Sequence, residues 1–508
     1  MQTSRVTRGA GVWLIVTACT PELGEAPRTP PPATSDPAVV GAAPMATVPA
    51  VQVMAPEVGA ALPEGAVAGR WLAAGGGGTP EFNQVSIEQD LGLVPEVLGS
   101  EGGLLLFAGG RGTGGVQEAA EVEGDALALQ LADLFAPRGG RAARYRATTL
   151  AVAAAATVDN VRAALAAATA TAEVTPLVVY LAGHGAPGAT PGETGIDLWE
   201  QSQLRAVDLA ATLDAGTRAT RVVITSCFSG GFAELAFVGA DATKAAAKGR
   251  CGLFAATAER EASGCDPNPD RAAQQGYGLH FLNALRGLDR DGAAVTVDID
   301  GDGEVSLLEA HTRVRIASMG IDVPTTTSDR WLRVKAAGLK GRSKAVGLVE
   351  EEAVIAALAE LGDEVAARTA LVQLDGEMAE ISRRVDEASA AEDAAYRRAA
   401  GELLARWPVL DDPWHPDFAA TLASGRAAIE LHLRASAAYA EYLAARADGD
   451  AAQADMGAAL GRSARLERLV RAYETRRLAG LLRGRGGADW RAYEELLACE
   501  RWVPALAR

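Results

Sequence analysis

Short apolar runs alternate with helix-like segments through the middle of the chain. The runs cover residues 103–107, 144–152, 177–183, 221–226 and 252–258. Because glycine or polar residues bound them, they are typical of strands that are mostly buried in a sheet. Between them, apolar residues recur three and four positions apart at 125–135, 157–172 and 206–213, which indicates helices. This alternation predicts an α/β fold, with a sheet of mostly parallel strands and helices on both faces.

The first 19 residues have the pattern of an export signal. Arg5 and Arg8 precede a short apolar run, which ends in small residues before Cys19. Val-Thr-Ala-Cys at 16–19 resembles the lipobox of bacterial lipoproteins, which implies cleavage before Cys19 and a lipid anchor on its thiol. An ordinary secretory signal or a buried N-terminal helix is the alternative. The resemblance places the protein in a bacterial cell envelope, and Thr20 after the cysteine favours the outer membrane.

Residues 20–98 are rich in proline, alanine, glycine and valine and contain few aromatic residues. Such a segment buries too little apolar surface to offset the entropy lost on ordering. We therefore predict a tether between the membrane and a folded module over residues 99–342. A short packed strand at 51–54 is the alternative for one part of it.

The charge balance excludes two classes of partner. The chain has 65 acidic residues against 48 lysines and arginines, a net charge of -17. Nucleic acid and anionic lipid surfaces would repel such a protein. Neither is an expected partner.

Two apolar runs end in a reactive side chain followed by glycines. His184 follows the run at 177–183, and Cys227 follows the run at 221–226. Because parallel strands point the same way, both side chains are expected at the carboxyl edge of the sheet, where ligand crevices of open α/β sheets lie. A histidine there can stabilise the thiolate of a cysteine nucleophile. Taken singly, His184 fits a loop or capping residue and Cys227 a small buried hydrophobe.

The glycines after these two residues suggest a close approach of substrate backbone. The amide N–H groups of Gly185 and Cys227 would then point at a developing oxyanion, which is a strong contribution to acyl transfer. The sequence therefore predicts a site for nucleophilic chemistry on a carbonyl carbon.

The same residues resemble a known family. Y-L-A-G-H-G at 180–185 and S-C-F-S-G-G at 226–231 are similar to the two motifs of caspase-like cysteine peptidases. L-F-A-A-T-A at 253–258, the E-A-S-G-C-D loop at 261–266 and the aromatic segment 276–287 are most similar to the legumain-like branch. The resemblance implies a caspase-like sheet and a His184–Cys227 dyad that cleaves polypeptides through a thioester. An inactive interaction lipoprotein with this fold and a transpeptidase using the same dyad are the alternatives.

The resemblance does not extend to the family's substrate preference. Thr225 and Ser226 stand before the nucleophile, where metacaspases and legumains have acidic residues. Asparagine specificity is therefore not implied. Asp266 and Asp270 lie in the loop that helps to line the first specificity pocket in the family, and a basic substrate side chain would suit them. Two solvated loop acids are the alternative.

Residues 298–309 match the calcium loop of an EF-hand. The oxygen ligands would come from Asp298, Asp300, Asp302, Ser306 and Glu309 and from the carbonyl of Glu304, with Gly303 at the bend. The preceding residues 293–297 suggest a strand rather than a helix. We predict a structural Ca²⁺ site of the strand-loop-helix kind, and a regulatory switch is the alternative.

From residue 343 to 508 alanine-rich helical patterns replace the strands, which predicts an all-α C-terminal region. Apolar residues recur three and four apart at 371, 374, 378, 381 and 385, as in a coiled coil or helical hairpin. A break at Trp407 and Pro408 and two more helices meeting near residues 447–453 are expected. This region would dock a protein partner or self-associate. Cys251 and Cys265 flank one strand and could pair in an oxidising compartment, whereas Cys499 would be buried.

Overall fold

A computed structural model of the chain describes residues 60–112, 115–120, 124–135, 143–171, 173–341 and 343–507. The predicted signal segment 1–19, with Cys19, and residues 20–59 of the predicted tether lie outside the described residues. The alternative strand at 51–54 lies outside them as well.

Six strands form the central sheet. They are β1 (Trp71–Gly76), β2 (Gly103–Phe107), β5 (Leu177–Gly183), β9 (Thr220–Ile224), β10 (Arg250–Phe254) and β11 (Thr325–Thr326), in the order β11-β10-β9-β5-β1-β2. All neighbouring pairs are parallel except β10 with β11, which is antiparallel. Shorter strands pair outside this sheet: β3 (Val116–Ala119) with β4 (Ala143–Arg146), and β6 (Gly185–Ala186), β7 (Gly195–Leu198) and β8 (Ser202–Arg205) with one another.

Helices cover both faces of the sheet. Those of the α/β unit are α1 (Val85–Leu98), α3 (Val158–Thr169), α4 (Ala206–Ala215), α5 (Tyr277–Leu285), α6 (Leu307–Ala317) and α7 (Thr327–Lys335), whereas α2 (Ala126–Phe135) packs against helices of the C-terminal region. Alternate residues of β5 face opposite cores: Tyr180 packs with α1 and α5, whereas Val179 packs with α3 and α4. Thr157 caps α3 as expected, since its side chain accepts a hydrogen bond from the Asn160 amide. The predicted α/β class is confirmed.

The C-terminal region is helical, as predicted. It consists of α8 (Val349–Ala357), α9 (Glu364–Leu404), α10 (Phe418–Ala435), α11 (Ala437–Arg485) and α12 (Gly487–Glu500). The predicted apolar seam of α9 packs against α11 through Leu374 and Ile381. The two long helices therefore form an antiparallel hairpin. In the described part of the chain, no helix is both long and apolar enough to cross a membrane.

The predicted boundary between tether and folded module at residue 98 is wrong. Residues 71–76 form β1, which lies between β5 and β2 inside the sheet, and residues 85–98 form α1 on one face. The alanines and glycines of W-L-A-A-G-G make β1 look like tether in composition. They fit there because the strand is buried on both faces with neighbours close on either side.

Three smaller expectations also differ from the structure. Of the predicted strand 144–152, only residues up to 146 are in a strand, and that strand pairs with β3 outside the main sheet. Residues 293–297 form no strand and make one isolated bridge, between Leu288 and Ala294. Helix α11 continues without a break through 447–453, because Ala445 and Ala452 are buried on its packed face.

A disulfide joins the helical region to the sheet. Cys251 on β10 is bonded to Cys499 near the end of α12, not to Cys265 as considered from the sequence. The fold brings α12 against the edge of the sheet, which no local pattern reveals. Next to it, buried Glu500 accepts hydrogen bonds from the amide and hydroxyl of Ser328 at the start of α7, at 2.7 and 2.5 Å. The C-terminal region is thus fastened to the α/β unit.

Candidate active site

The structure brings His184 and Cys227 to the same edge of the sheet. Strands β5 and β9 are parallel neighbours, with Leu181 opposite Ile224, so the residues three positions further on reach the same level. Gly185 lies against the backbone of Cys227: a Cβ on Gly185 would be 2.1 Å from the Cys227 carbonyl oxygen. The predicted meeting of these two residues at the carboxyl edge therefore agrees with the geometry.

Two hydrogen-bond acceptors hold the Nε2 side of the His184 ring. Its Nε2 lies 2.9 Å from the Phe82 carbonyl oxygen and 2.8 Å from Oε1 of Gln84. The amide nitrogen of Gln84 donates to the carbonyl of Glu81, so its oxygen faces the ring. Both neighbours accept, and therefore Nε2 carries a proton. The Nε2 edge of the ring is thus held by two acceptors, and Nδ1 lies on the other edge.

Cys227 sits on a sharp turn after β9. Phe228, the next residue, has φ of 55°, a left-handed conformation that costs a non-glycine residue about 1 to 3 kcal/mol. Its amide is held by the carbonyl of Arg260 at 2.8 Å. The Ala262 amide donates to Sγ of Cys227 at 3.3 Å, and Sγ also lies 3.7 Å from the Ala262 carbonyl oxygen, which accepts from the thiol. Such a turn aims the sulfur away from the direction of the strand.

Packing explains the glycines around the two residues. A Cβ on Gly230 would lie 2.6 Å from the Ala256 carbonyl oxygen, and one on Gly231 would lie 2.3 Å from Oγ1 of Thr194. Gly185 meets Cys227 in the same way. The expectation that these glycines make room for substrate backbone is therefore corrected: they make room for neighbouring atoms of the protein itself, which are backbone at Gly185 and Gly230 and the Thr194 side chain at Gly231. The side chains of Cys227 and His184 are both buried.

A cleft lies beside this edge of the sheet. It has about 740 Å³ of empty space, counting its open mouth, and its wall includes Ser86, Asp90, Ser263 and Gly264. The same four residues line a smaller cavity that extends to Gly183, the last residue of β5, and to Thr225, the residue after β9. Ser263 is anchored by Asp322, which accepts its amide at 2.8 Å. The smaller cavity thus approaches the ends of β5 and β9, and neither His184 nor Cys227 is among the residues that line it or the cleft.

The two predicted specificity residues, Asp266 and Asp270, lie in different surroundings. Asp266 lines the cleft, and burial raises the pKa of its carboxyl group, partly offset by the hydrogen bond from the Asn268 amide. Asp270 is exposed and caps a short helical turn by accepting the Ala272 amide at 3.0 Å. The structure therefore brings only Asp266 to the cleft.

Asp90 is a cleft residue that sequence reasoning missed. It lies on α1, is 9% exposed, and its Oδ1 is 2.8 Å from a guanidinium nitrogen of Arg271. Burial raises the pKa of Asp90, and the charge of Arg271 opposes that rise. Its segment was assigned to the tether, although the apolar spacing of residues 87, 91, 94 and 98 around it would have indicated a helix.

The predicted calcium loop forms a partial cluster. Carboxylate oxygens of Asp298, Asp300 and Asp302 lie within 4.8 Å of one another. Ser306 and Glu309 form a capping box at the start of α6, and both oxygens of Glu309 accept from backbone amides of the loop. Glu304 is exposed. The fold gathers three of the predicted ligands and places the other residues of the loop around the helix start.

A scan against models of known protein families and a search of curated proteins find no match to this chain.

Proposed function

We propose that the protein is a cysteine endopeptidase that uses His184 and Cys227. The observation that supports the proposal best is the shared strand edge, where the His184 ring is fixed with Nε2 protonated and Cys227 receives an amide donor at sulfur. The thiolate would attack a peptide carbonyl carbon and form a thioester. Nδ1 of His184 would first take the thiol proton of Cys227 and then give it to the leaving amine as the peptide bond breaks, and water would hydrolyse the thioester to a carboxylic acid and restore the thiol. The amides of Gly185 and Cys227 are the candidates for the oxyanion donors.

The cleft chemistry suits a basic side chain of the substrate. Among the described residues, no lysine or arginine forms an ion pair with Asp266, whereas Asp90 is paired with Arg271. Apolar surface from Leu279 and Ile321 borders the same cleft. A long side chain with an apolar stem and a cationic end matches this arrangement. We therefore propose polypeptides with arginine or lysine at the cleavage position as substrates.

Fluorogenic peptides that differ only at the cleavage position test this proposal. The arginine peptide is expected to be hydrolysed with a kcat/KM at least about tenfold above that of the asparagine peptide, because the half-buried carboxylate of Asp266 would pair with a cationic side chain. Asp266→Asn keeps the acceptor for the Asn268 amide but removes the charge, and should erase this preference. Asp270→Asn is the matched control, since Asp270 is exposed. Equal rates for both peptides with the unaltered protein would contradict the basic preference.

The burial of both reactive side chains favours a second candidate function. Cys227 is 0% exposed and His184 is 4% exposed, so a peptide reaches them only if the surrounding loops move. A non-catalytic interaction protein that kept this fold would need no such movement. Hydrolysis of any peptide that depends on Cys227 excludes this candidate.

We also propose a structural Ca²⁺ ion at the loop 298–309. Asp298, Asp300 and Asp302 would hold it, with the carbonyl of Glu304 and the side chains of Ser306 and Glu309 as further donors. Clustered carboxylates are hard oxygen ligands, which calcium prefers. The ion would offset the repulsion among the three aspartates at the start of α6.

Calcium is expected to stabilise the protein. At a free concentration 100 times the Kd, binding adds about 2.7 kcal/mol to the free energy of unfolding. Calorimetric titration measures the Kd for calcium. Denaturant unfolding with calcium or with chelator measures the change in the free energy of unfolding. The double variant Asp300→Asn, Asp302→Asn should lose the binding heat and the stabilisation. Asp291→Asn, an exposed acid of the preceding loop, should keep them. Equal stability with calcium and chelator would argue against the site.

We further propose that the protein is lipid-anchored through Cys19 in a bacterial envelope, with the outer membrane as its location. The Cys251–Cys499 disulfide supports export, because such bonds persist in oxidising compartments. The helical C-terminal region remains a candidate surface for a protein partner or for self-association.

A further inference from the structure

Helix α11 forms part of the wall of the cleft. Gly457 lines it from the helical region, together with Asp266, Met319 and Ile321 of the α/β unit. All other lining residues belong to the α/β unit. The cleft is therefore built from both regions of the chain, although the sequence separates them by more than a hundred residues.

Close packing holds α11 at this position. Gly461, one turn after Gly457 on the same face, approaches the neighbouring segment so closely that a Cβ there would lie 2.9 Å from the Met319 carbonyl oxygen. Two turns further, buried Arg468 donates to the carbonyls of Arg315 and Ser318 at 3.1 and 2.9 Å, which satisfies the end of α6. The helix cannot shift along the cleft without breaking these contacts.

The same helix also contacts the loop behind the nucleophile. Glu467 of α11 forms an ion pair with Arg260, with an oxygen 2.8 Å from a guanidinium nitrogen. The carbonyl of Arg260 accepts the Phe228 amide, and Ala262, two residues on, donates to the Cys227 sulfur. The position of α11 and the shape of the site are thus linked through one short loop.

We propose that Gly457 is a specificity-determining residue: its missing side chain leaves room in the cleft for a long substrate side chain such as arginine. Among the described residues, no atom lies within 4 Å of the place where its Cβ would be, so the space next to it is open. A larger side chain at this position would extend into the cleft space that the glycine leaves open. This inference rests on the proposed peptidase function.

A graded series at this position tests the inference. Gly457→Ala, Gly457→Leu and Gly457→Trp should lower kcat/KM for the arginine peptide in that order, by about tenfold or more for tryptophan, while an alanine peptide loses much less. Gly376→Trp is the matched control: Gly376 is an exposed glycine of α9, also with no atom within 4 Å of its Cβ position. Circular dichroism and unfolding midpoints establish that each variant is folded.

The outcomes separate the inference from the proposed function. A falling ratio of arginine to alanine peptide hydrolysis in the Gly457 series, with the Gly376 variant unchanged, supports the inference. An unchanged ratio, or an equal loss for both peptides, overturns it while peptide hydrolysis by the unaltered protein still stands. If the unaltered protein hydrolyses no peptide, the proposed function fails and this inference fails with it.

Discussion

Replacing Cys227 with alanine is expected to lower peptide hydrolysis by at least about 10⁴-fold. Removal of the nucleophile from a hydrolase with a covalent mechanism commonly costs this much or more, because no other group forms the acyl intermediate. The remaining chain loses one sulfur atom from a buried position. Fold and cleft should therefore persist in the variant.

The measurement compares purified proteins by their rates of hydrolysis of a basic fluorogenic peptide and by their labelling with a thiol-directed peptide probe. The probe should label the unaltered protein and leave Cys227→Ala unlabelled. Cys19→Ala is the control from the other end of the chain: it should release the protein from the membrane fraction and leave hydrolysis unchanged. Probe labelling or hydrolysis that persists in Cys227→Ala would refute the assignment of the nucleophile.

Removing the disulfide between Cys251 and Cys499 is expected to destabilise the protein strongly. The bond closes a loop across a separation of 248 residues. In the chain-entropy description, closing a loop of this size lowers the conformational entropy of the unfolded chain and so raises its free energy by up to about 5 kcal/mol. We expect the variant Cys251→Ala, Cys499→Ala to lose about 3 to 5 kcal/mol of unfolding free energy. In this variant α12 should separate from β10 before the rest of the protein unfolds, because its covalent bond to β10 is gone and noncovalent contacts such as the Glu500 hydrogen bonds alone hold it.

Urea unfolding measures the unfolding free energies of this double variant and of Cys227→Ala, and the difference between them gives the contribution of the cross-link. Cys227→Ala removes a buried sulfur but no covalent bond, so its loss should be about 1 kcal/mol. Hydrogen exchange of α12 amides shows whether that helix opens ahead of the rest. Equal unfolding midpoints for the two variants would contradict a stabilising role of the bond.

Local patterns predicted much of the α/β unit. The apolar runs that became β5 and β9 have enough length and β-branched content to identify them, and their glycine-bounded ends fixed where His184 and Cys227 would lie. Once the strands were assigned as parallel, the common edge followed, because parallel neighbours end on the same side. The repeat at 374 and 381 likewise predicted the α9 seam, because helical spacing is a local property.

Other features were decided by contacts between distant segments. Strand β1 has the composition of a linker and became a central strand, because β5 and β2 supply its hydrogen bonds and helices cover both of its faces. Asp270 belongs to the same loop as Asp266, but one caps a turn and the other faces a cleft that includes residues from α1, α5 and α11. The sequence of the loop does not indicate where either side chain lies.

Local sequence patterns were sufficient to predict the fold class, the strand ends that hold histidine and cysteine, and the helical nature of the C-terminal region, because each depends on residues close along the chain. Contacts between distant segments, by contrast, place Phe82 and Gln84 against His184, bring Asp90 and Gly457 to the cleft and bond Cys251 to Cys499. These contacts join segments up to a few hundred residues apart. They depend on how helices and strands pack, which no short stretch of sequence specifies.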